Sequence, residues 1–257
     1  MGDARPVAAV TGASGGIGRA IAIRLAAGGA TVAVSARSPD GGAETVRLIE
    51  AAGGRAEFTP VDVSDSSAVA AWISGVAERH GRLDQLVNNA GINGRSARLE
   101  EYDVAEFERV IATNLLGTFY AVHAAIPIMR AAGGGAIVNL GSTASLQGYG
   151  MLAGYTASKH GLLGLTKSIA LENADVPIRV NCVCPGPVDT PLMQGIERLV
   201  NPDDPAAARD MFAGTTALKR YGRAEEIAEV VHFLLDERSG YVTGTAISVD
   251  GGVTTGV

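Results

Sequence analysis

The stretch Val7-Ala8-Ala9-Val10-Thr11-Gly12-Ala13-Ser14-Gly15-Gly16-Ile17-Gly18 decides how this chain folds. Four apolar residues of strand character run straight into a glycine-rich turn, and a helical pattern opens at Gly16. Glycines at 12, 16 and 18 permit a tight turn and let backbone approach a ligand closely. Free N–H groups and the helix dipole at such a turn favour negative charge. Strand, turn and helix therefore stand in the order that binds the pyrophosphate of a dinucleotide, with Gly12, Ser14, Gly16, Ile17 and Gly18 as its contacts.

Outward from that turn, short apolar runs alternate with longer helical ones. Residues 7–10, 31–36, 56–61, 85–88, 136–140, 179–183 and 246–249 read as strands. Most are apolar throughout, as strands buried on both faces should be. Residues 16–28, 41–52, 66–80, 104–132, 151–173 and 224–236 read as helices. Glycines follow several of them as stop signals, and Ser64 or Asp65 is a candidate N-cap for the third. Sustained alternation predicts right-handed βαβ units and an α/β fold: a doubly wound, mostly parallel seven-stranded sheet with helices on both faces. Residues 185–216 break the pattern with Pro, Asp and Ala. They are either a lid or a partly disordered segment, and the lid, at about 188–216, is the favoured reading.

Composition narrows the partners. The chain has 257 residues, 47% hydrophobic, so a large core is within reach. Its net charge of −6, without a Lys/Arg cluster, argues against nucleic acid or an anionic membrane as partner. Cys182 and Cys184 read as two reduced, buried thiols, and no metal site is expected, since the four histidines form no ligand-spaced pair. No secretory signal and no run of membrane-spanning length is evident, so the expected location is the cytoplasm.

More motifs follow in order: Asp62 after the third strand, Asn88-Asn89-Ala90-Gly91 after the fourth, and Tyr155-Thr-Ala-Ser-Lys159 in run 151–173. Pro185-Gly186 and Val249-Asp250-Gly251-Gly252 complete the set. With these motifs from Val7 to Gly252 the chain resembles the short-chain dehydrogenase/reductase family. The resemblance implies one Rossmann-type domain over residues 1–257, a nicotinamide cofactor and carbonyl/alcohol redox chemistry. It further implies cofactor contacts from Asp62, Val63, Asn89, Gly91, Val188 and Thr190, and a homo-oligomer (tetramer or dimer) built through runs 104–132 and 151–173 and the C-terminal strand region.

The catalytic reading rests on Tyr155 and Lys159, which share one helix face at i and i+4. A phenol can give a proton to a developing alkoxide, but its ordinary pKa of about 10 makes it a weak base near neutrality. A neighbouring ammonium would lower that value. Ser142, ending the fifth strand, can hydrogen-bond the substrate oxygen. Asn114 sits mid-helix, where Asn is a mediocre helix former. The resemblance gives it a water linking the lysine to solvent, which makes Asn114, Ser142, Tyr155 and Lys159 the catalytic set.

Cofactor choice is read at the end of the second strand. Ala36 stands where an NAD-type carboxylate would fall and Arg37 follows, which favours NADP, with NAD as the alternative. Gly15 stands where many NADP-type relatives carry a second basic residue. Substrate groups are expected from Ser142, Gln147, Tyr155 and Met193, with Leu146, Met151, Leu192 and Phe212 forming an apolar pocket. A small ketone or secondary alcohol fits. Arg95, Arg98 or Arg209 could instead hold a carboxylate or an acyl-carrier phosphate, which keeps a 3-oxoacyl thioester reductase open. A non-catalytic nucleotide sensor would be expected to have lost Ser142, Tyr155 or Lys159. A dehalogenase of the same fold would lack the glycine motif and carry Arg at position 159.

Overall fold

The computed structural model describes residues 5–255. Its seven strands are β1 Val7–Thr11, β2 Thr31–Ala36, β3 Arg55–Pro60, β4 Gln85–Asn88, β5 Gly135–Leu140, β6 Ile178–Pro185 and β7 Ala246–Val249. They form one parallel sheet in the order β3-β2-β1-β4-β5-β6-β7. Chain order reverses between β1 and β4, and in such sheets the crevice beyond the strand C-termini at that point takes the ligand. Alternate residues of each inner strand enter opposite cores. Ala8 and Val10 meet Ile21, Leu25, Val231 and Leu234, whereas Val7 and Ala9 meet Trp72, Ile73 and Met129.

Around the sheet lie α1 Gly16–Ala27, α2 Pro39–Ala51, α3 Ser66–His80, α4 Val104–Ile111, α5 Gly117–Ala132, α6 Ala153–Glu172, α7 Pro191–Val200, α8 Pro205–Gly214 and α9 Ala224–Leu235. Asp65, not Ser64, caps α3, its carboxylate accepting from the N–H groups of Ser67 and Ala68. The third strand departs from the expected apolar run: Arg55-Ala-Glu-Phe-Thr-Pro60 alternates because it lies at the sheet edge.

Two segments change or sharpen the sequence reading. Run 104–132 is not one regular helix, because Ala112–Leu116 widens into a π-helical turn that carries Asn114. The full 29-residue helix Val104–Ala132 is nevertheless long and apolar enough to cross a membrane, contrary to the expectation that no run reaches that length. Polar Thr113, Asn114, Thr118 and His123 interrupt its apolar pattern in the sequence. Here it flanks the sheet, with Ala121, Val122, Ala125 and Met129 buried in the second core. Segment 185–216, read as a lid or a partly disordered stretch, forms the two helices α7 and α8. Each begins with a capping side chain followed by proline, Thr190-Pro191 and Asp204-Pro205.

The β1–α1 turn is tightly packed. Gly12 and Gly16 take φ of 67° and 53°. Thr11 Oγ1 accepts the N–H groups of Asn89 and Ala90 at 3.0 and 3.1 Å. Asn89 Nδ2 donates to the carbonyls of Thr11 and Gly12 at 3.1 and 3.0 Å. The ends of β1 and β4 are thereby pinned together across the crevice. A Cβ on Gly18 would lie 2.4 Å from both Asn89 Nδ2 and Gly12 O. Gly18→Ala should therefore destabilise by about 1–3 kcal/mol, as overpacking does. Differential scanning calorimetry should show a lower Tm together with weakened dinucleotide binding; an unchanged Tm would contradict this packing.

Candidate active site

The crevice floor is the start of α1. This helix has no side-chain cap and no acidic residue in its first turn. A Cβ on Gly15 would meet nothing within 4 Å, so the turn is open on that side. The cradle fits a dinucleotide pyrophosphate, with free N–H groups and a positive dipole end available to it. Opposite the turn, a Cβ on Gly16 would stand 3.3 Å from Thr190 Cγ2, which brings loop 186–190 against it. Thr190 is buried; its hydroxyl donates to Val188 O at 3.2 Å and accepts from Met193 N at 3.3 Å. The Val188 side chain packs in the first core, which leaves its backbone for any ligand contact.

On the adenosine side, Arg37 is exposed beyond β2, next to Ser38, the N-cap of α2. Asp62 Oδ1 accepts from Ser64 N at 3.0 Å and Ser64 Oγ at 2.7 Å. Those bonds hold its carboxyl below the usual range, assisted by nearby Arg37. Val63 is buried, its side chain at 2.9 Å from where a Cβ of Gly117 would stand.

At the reaction end, Ser142 leaves β5 as the cap of a short turn, its Oγ accepting from Ala144 N at 3.2 Å. Tyr155 lies in the first turn of α6, with the Ser142 hydroxyl close enough to its phenol to act on it. Lys159 is 6% exposed and its Nζ donates to Leu140 O at 2.6 Å, 5.7 Å from the centre of the Tyr155 ring. Burial pushes the Tyr155 phenol above its ordinary value, and the Ser142 hydroxyl draws it back. Burial lowers Lys159 to about 8. This differs from the expectation that the ammonium lowers the phenol. The lysine's near partner is the strand-end carbonyl, and Ser142 is what lowers Tyr155.

Asn114 is almost wholly buried. Its Oδ1 accepts from Ile92 N at 2.8 Å, and its Nδ2 donates to Ile92 O at 2.9 Å and Ser158 Oγ at 3.0 Å. Ser158 in turn donates to Tyr155 O at 2.7 Å. A Cβ on Gly91 would be 3.3 Å from Asn114 Oδ1 and 3.7 Å from Lys159 Nζ. The four expected catalytic residues therefore lie together: Ser142 beside Tyr155, Lys159 one turn further on, and Asn114 joined to the Tyr155 backbone through Ser158 and to the Lys159 side through Gly91.

Sequence reading passed over Tyr149. Gln147 Nε2 donates to Tyr149 Oη at 2.8 Å, and Tyr149 Oη donates to Thr143 Oγ1 at 2.8 Å. Tyr149 is also close enough to Tyr155 to act on it electrostatically. Its only sequence signal was an aromatic between two glycines beside the Ser142 turn. Leu146, Met151 and Leu192 are exposed around the site, and Met151 has a strained φ of 65°. Met193 is half-buried in the first turn of α7, held through its backbone by Thr190. Arg209 is already engaged: it forks onto Asp189, which removes it from the candidate carboxylate and phosphate binders. Cys182 and Cys184 are free, buried thiols, as expected.

The family model described as enoyl-(acyl carrier protein) reductase matches residues 12–254. Levodione reductase of Leifsonia aquatica is 40% identical over 248 residues, 96% of this chain and 93% of that one. A crystal structure of a levodione reductase matches with a TM-score of 0.96 at 37% identity, covering 98% of each chain. Cis-4-hydroxycyclohexanecarboxylate dehydrogenase of Sinomonas cyclohexanicum is 41% identical over 256 residues, 99% of both chains. An actinorhodin polyketide ketoreductase variant, solved with NADPH, matches with a TM-score of 0.93 at 37% identity, covering 98% of this chain and 99% of that one. With the fold, the glycine turn and the Ser142–Tyr155–Lys159 group in place, the chain belongs to the short-chain dehydrogenase/reductase family and is a nicotinamide-dependent oxidoreductase acting between ketones and secondary alcohols.

Proposed function

We propose that this enzyme interconverts an alicyclic or aliphatic ketone and its secondary alcohol with NADP, using Tyr155 as general acid and base. The observation that carries the chemistry is the juxtaposition of Ser142, Tyr155 and Lys159. The nicotinamide, when bound, supplies or accepts the hydride. Tyr155 Oη gives its proton to the carbonyl oxygen in reduction and takes it back in oxidation. Ser142 Oγ hydrogen-bonds the same oxygen and so stabilises charge as it develops. Lys159, with its pKa near 8, remains mostly protonated at pH 7, and its charge, 5.7 Å from the centre of the Tyr155 ring, supports the phenolate beside the larger effect of Ser142. Asn114 keeps Ile92, Gly91 and Ser158 in place, which holds open a route for the proton from Lys159.

The apolar rim of Leu146, Met151 and Leu192 supports an uncharged, mostly hydrocarbon substrate, with Gln147 and Met193 beside it. The relative that acts on a hydroxycyclohexane carboxylate supports a ring substrate. Segment 188–216, with α7 and α8 above the crevice loop, serves as the lid of one domain spanning the chain. NADP is favoured because Arg37 is exposed where a 2′-phosphate would lie, and Ala36 leaves no carboxylate to repel it. Oligomerisation uses the outer face of α5 and α6. Phe119, Val122, Ile126, Leu165 and Ile169 line a groove of about 320 Å³ there, and Phe119 is 45% exposed. The reduced state of Cys182 and Cys184 fits a cytoplasmic location.

Tyr155→Phe should abolish turnover of a cyclohexanone-type ketone while leaving NADPH affinity intact, as measured by fluorescence titration. Retained turnover would reject the acid/base role. Phenolate is the active form in alcohol oxidation, so kcat/KM in that direction should rise with pH. Lys159→Met should move the rising limb to higher pH, and an unmoved limb would remove the ammonium from the mechanism.

For the cofactor, kcat/KM with NADPH should exceed that with NADH. Arg37→Ala should reduce the NADPH value by about 10–100-fold, the worth of a charge-assisted hydrogen bond, with little effect on NADH. Equal losses for both cofactors would count against a 2′-phosphate contact.

A further inference from the structure

Arg209, in the middle of α8, joins parts of the fold that are far apart in sequence. Its guanidinium forks onto the Asp189 carboxylate, Nη2 to Oδ2 at 2.8 Å and Nη1 to Oδ1 at 3.2 Å. Nη1 also stands 3.6 Å from Glu197 Oε1 on α7. The guanidinium carbon lies 4.4 Å from the centre of the Tyr221 ring, in cation–π geometry. Backbone bonds continue the connection: Asp189 N donates to Gly222 O at 2.9 Å, and Gly222 N donates to Pro187 O at 2.9 Å. One arginine thus touches α7, the loop that follows β6 and the segment that leads into α9.

Burial shows why this arrangement cannot be a casual surface pair. Asp189 and Arg209 are each about a third to a half exposed, and such a pair alone contributes little. Glu197 is different: it is 5% exposed, and its enclosed Oε1 faces the Arg209 guanidinium and the Tyr221 hydroxyl. Burial and the neighbouring Glu197 carboxylate push the Tyr221 phenol up. A carboxylate so placed is costly unless a cation stays near it. Arg209 is that cation, and moving α8 away from α7 would strand the charge. The two lid helices are therefore coupled, and Asp189 ties the coupled pair to Thr190, which lies against Gly16 of the dinucleotide turn.

We propose that Arg209 is a positioning residue, a latch that holds α7 and α8 as one body on loop 186–190 and Tyr221. Through it the lid is seated over the reaction end with its apolar residues in register. The inference rests on reading segment 188–216 as the substrate lid. It assigns Arg209 no contact with substrate, which separates it from an arginine that binds a carboxylate directly.

The test compares wild type, Arg209→Met and Arg209→Lys on two probes, cyclohexanone and 4-oxocyclohexanecarboxylate. A latch predicts that Arg209→Met raises KM about tenfold for both ketones alike, because a shifted lid misplaces either one. Arg209→Lys should recover part of that loss, since it keeps the charge near Glu197 but not the fork onto Asp189. Limited proteolysis within residues 200–206 should be faster in Arg209→Met and intermediate in Arg209→Lys, and this readout needs no turnover. A loss confined to the carboxylated ketone would overturn the latch in favour of direct substrate binding. A lowered Tm with unchanged KM and unchanged proteolysis would reduce Arg209 to a stabilising residue and overturn it as well. Were Tyr155→Phe to remain active, the proposed chemistry would fail, while the proteolysis series would still decide the latch.

Discussion

The site depends on one buried amine. Lys159 is nearly sealed from solvent, and an ammonium in that position is tolerable only with a strong acceptor at hand. Leu140 O, at the last residue of β5, is that acceptor at 2.6 Å. The bond fixes the rotation of α6 relative to the sheet, and Tyr155, one turn earlier, is aimed by the same constraint. A second buried chain reinforces it. Asn88 Nδ2 donates to Asn139 Oδ1, Asn139 Nδ2 donates to Thr166 Oγ1, and Thr166 donates to Leu162 O. Polar groups sunk in a core tolerate few alternative arrangements, so β4, β5 and α6 hold one register.

The same economy sets the other wall of the crevice. Thr11 and Asn89 share out the backbone groups where β1 and β4 end, and the glycine turn has no room for a single added methyl at Gly18. Behind Ser142, the Gly141 backbone lies so close to Cys182, Cys184 and Ser145 that a Cβ would approach the Cys182 sulfur to 2.6 Å. The thiols are best understood as small, soft packing against the catalytic turn. A cavity there would free Ser142, and Ser142 is the group that lowers Tyr155.

How much of this could be read from the sequence follows from how local each signal is. The strand–turn–helix around Gly12–Gly18 is local in sequence, and the seven strands came out within one or two residues of their observed bounds. Tyr155 and Lys159 were legible because four residues on a helix is a fixed spatial offset. The direction of the Tyr155 shift was not, because it depends on burial and on Ser142, thirteen positions away in the chain. The π-turn at Asn114 escaped because its cause is tertiary: the side chain reaches Ile92 and Ser158. Helices α7 and α8 escaped because ten residues carry too little periodicity, although their cap-proline pairs were in plain view. Arg209 was misjudged for a related reason, since charge in a sequence does not say which partner is buried.

Rigidity and variability are thereby separated within one fold. The proton-handling groups sit on β5 and α6, anchored by buried polar bonds, and the glycine turn is locked by backbone contacts on both sides. Of the residues proposed to face the substrate, Leu192 and Met193 sit on a helix of ten residues, and α7 and α8 are each too short to be stable alone in water and must be docked. Their docking runs through Asp189, Glu197, Arg209 and Tyr221, a group that shares no hydrogen bond with Ser142, Tyr155 or Lys159 among the described residues. Substitutions in the lid can therefore reshape the pocket without disturbing the proton relay, whereas a change near Leu140 or Thr166 would disturb every substrate equally. On the proposed reading of the lid, reaction and selectivity answer to different sets of contacts, and selectivity belongs to the set that has to be latched.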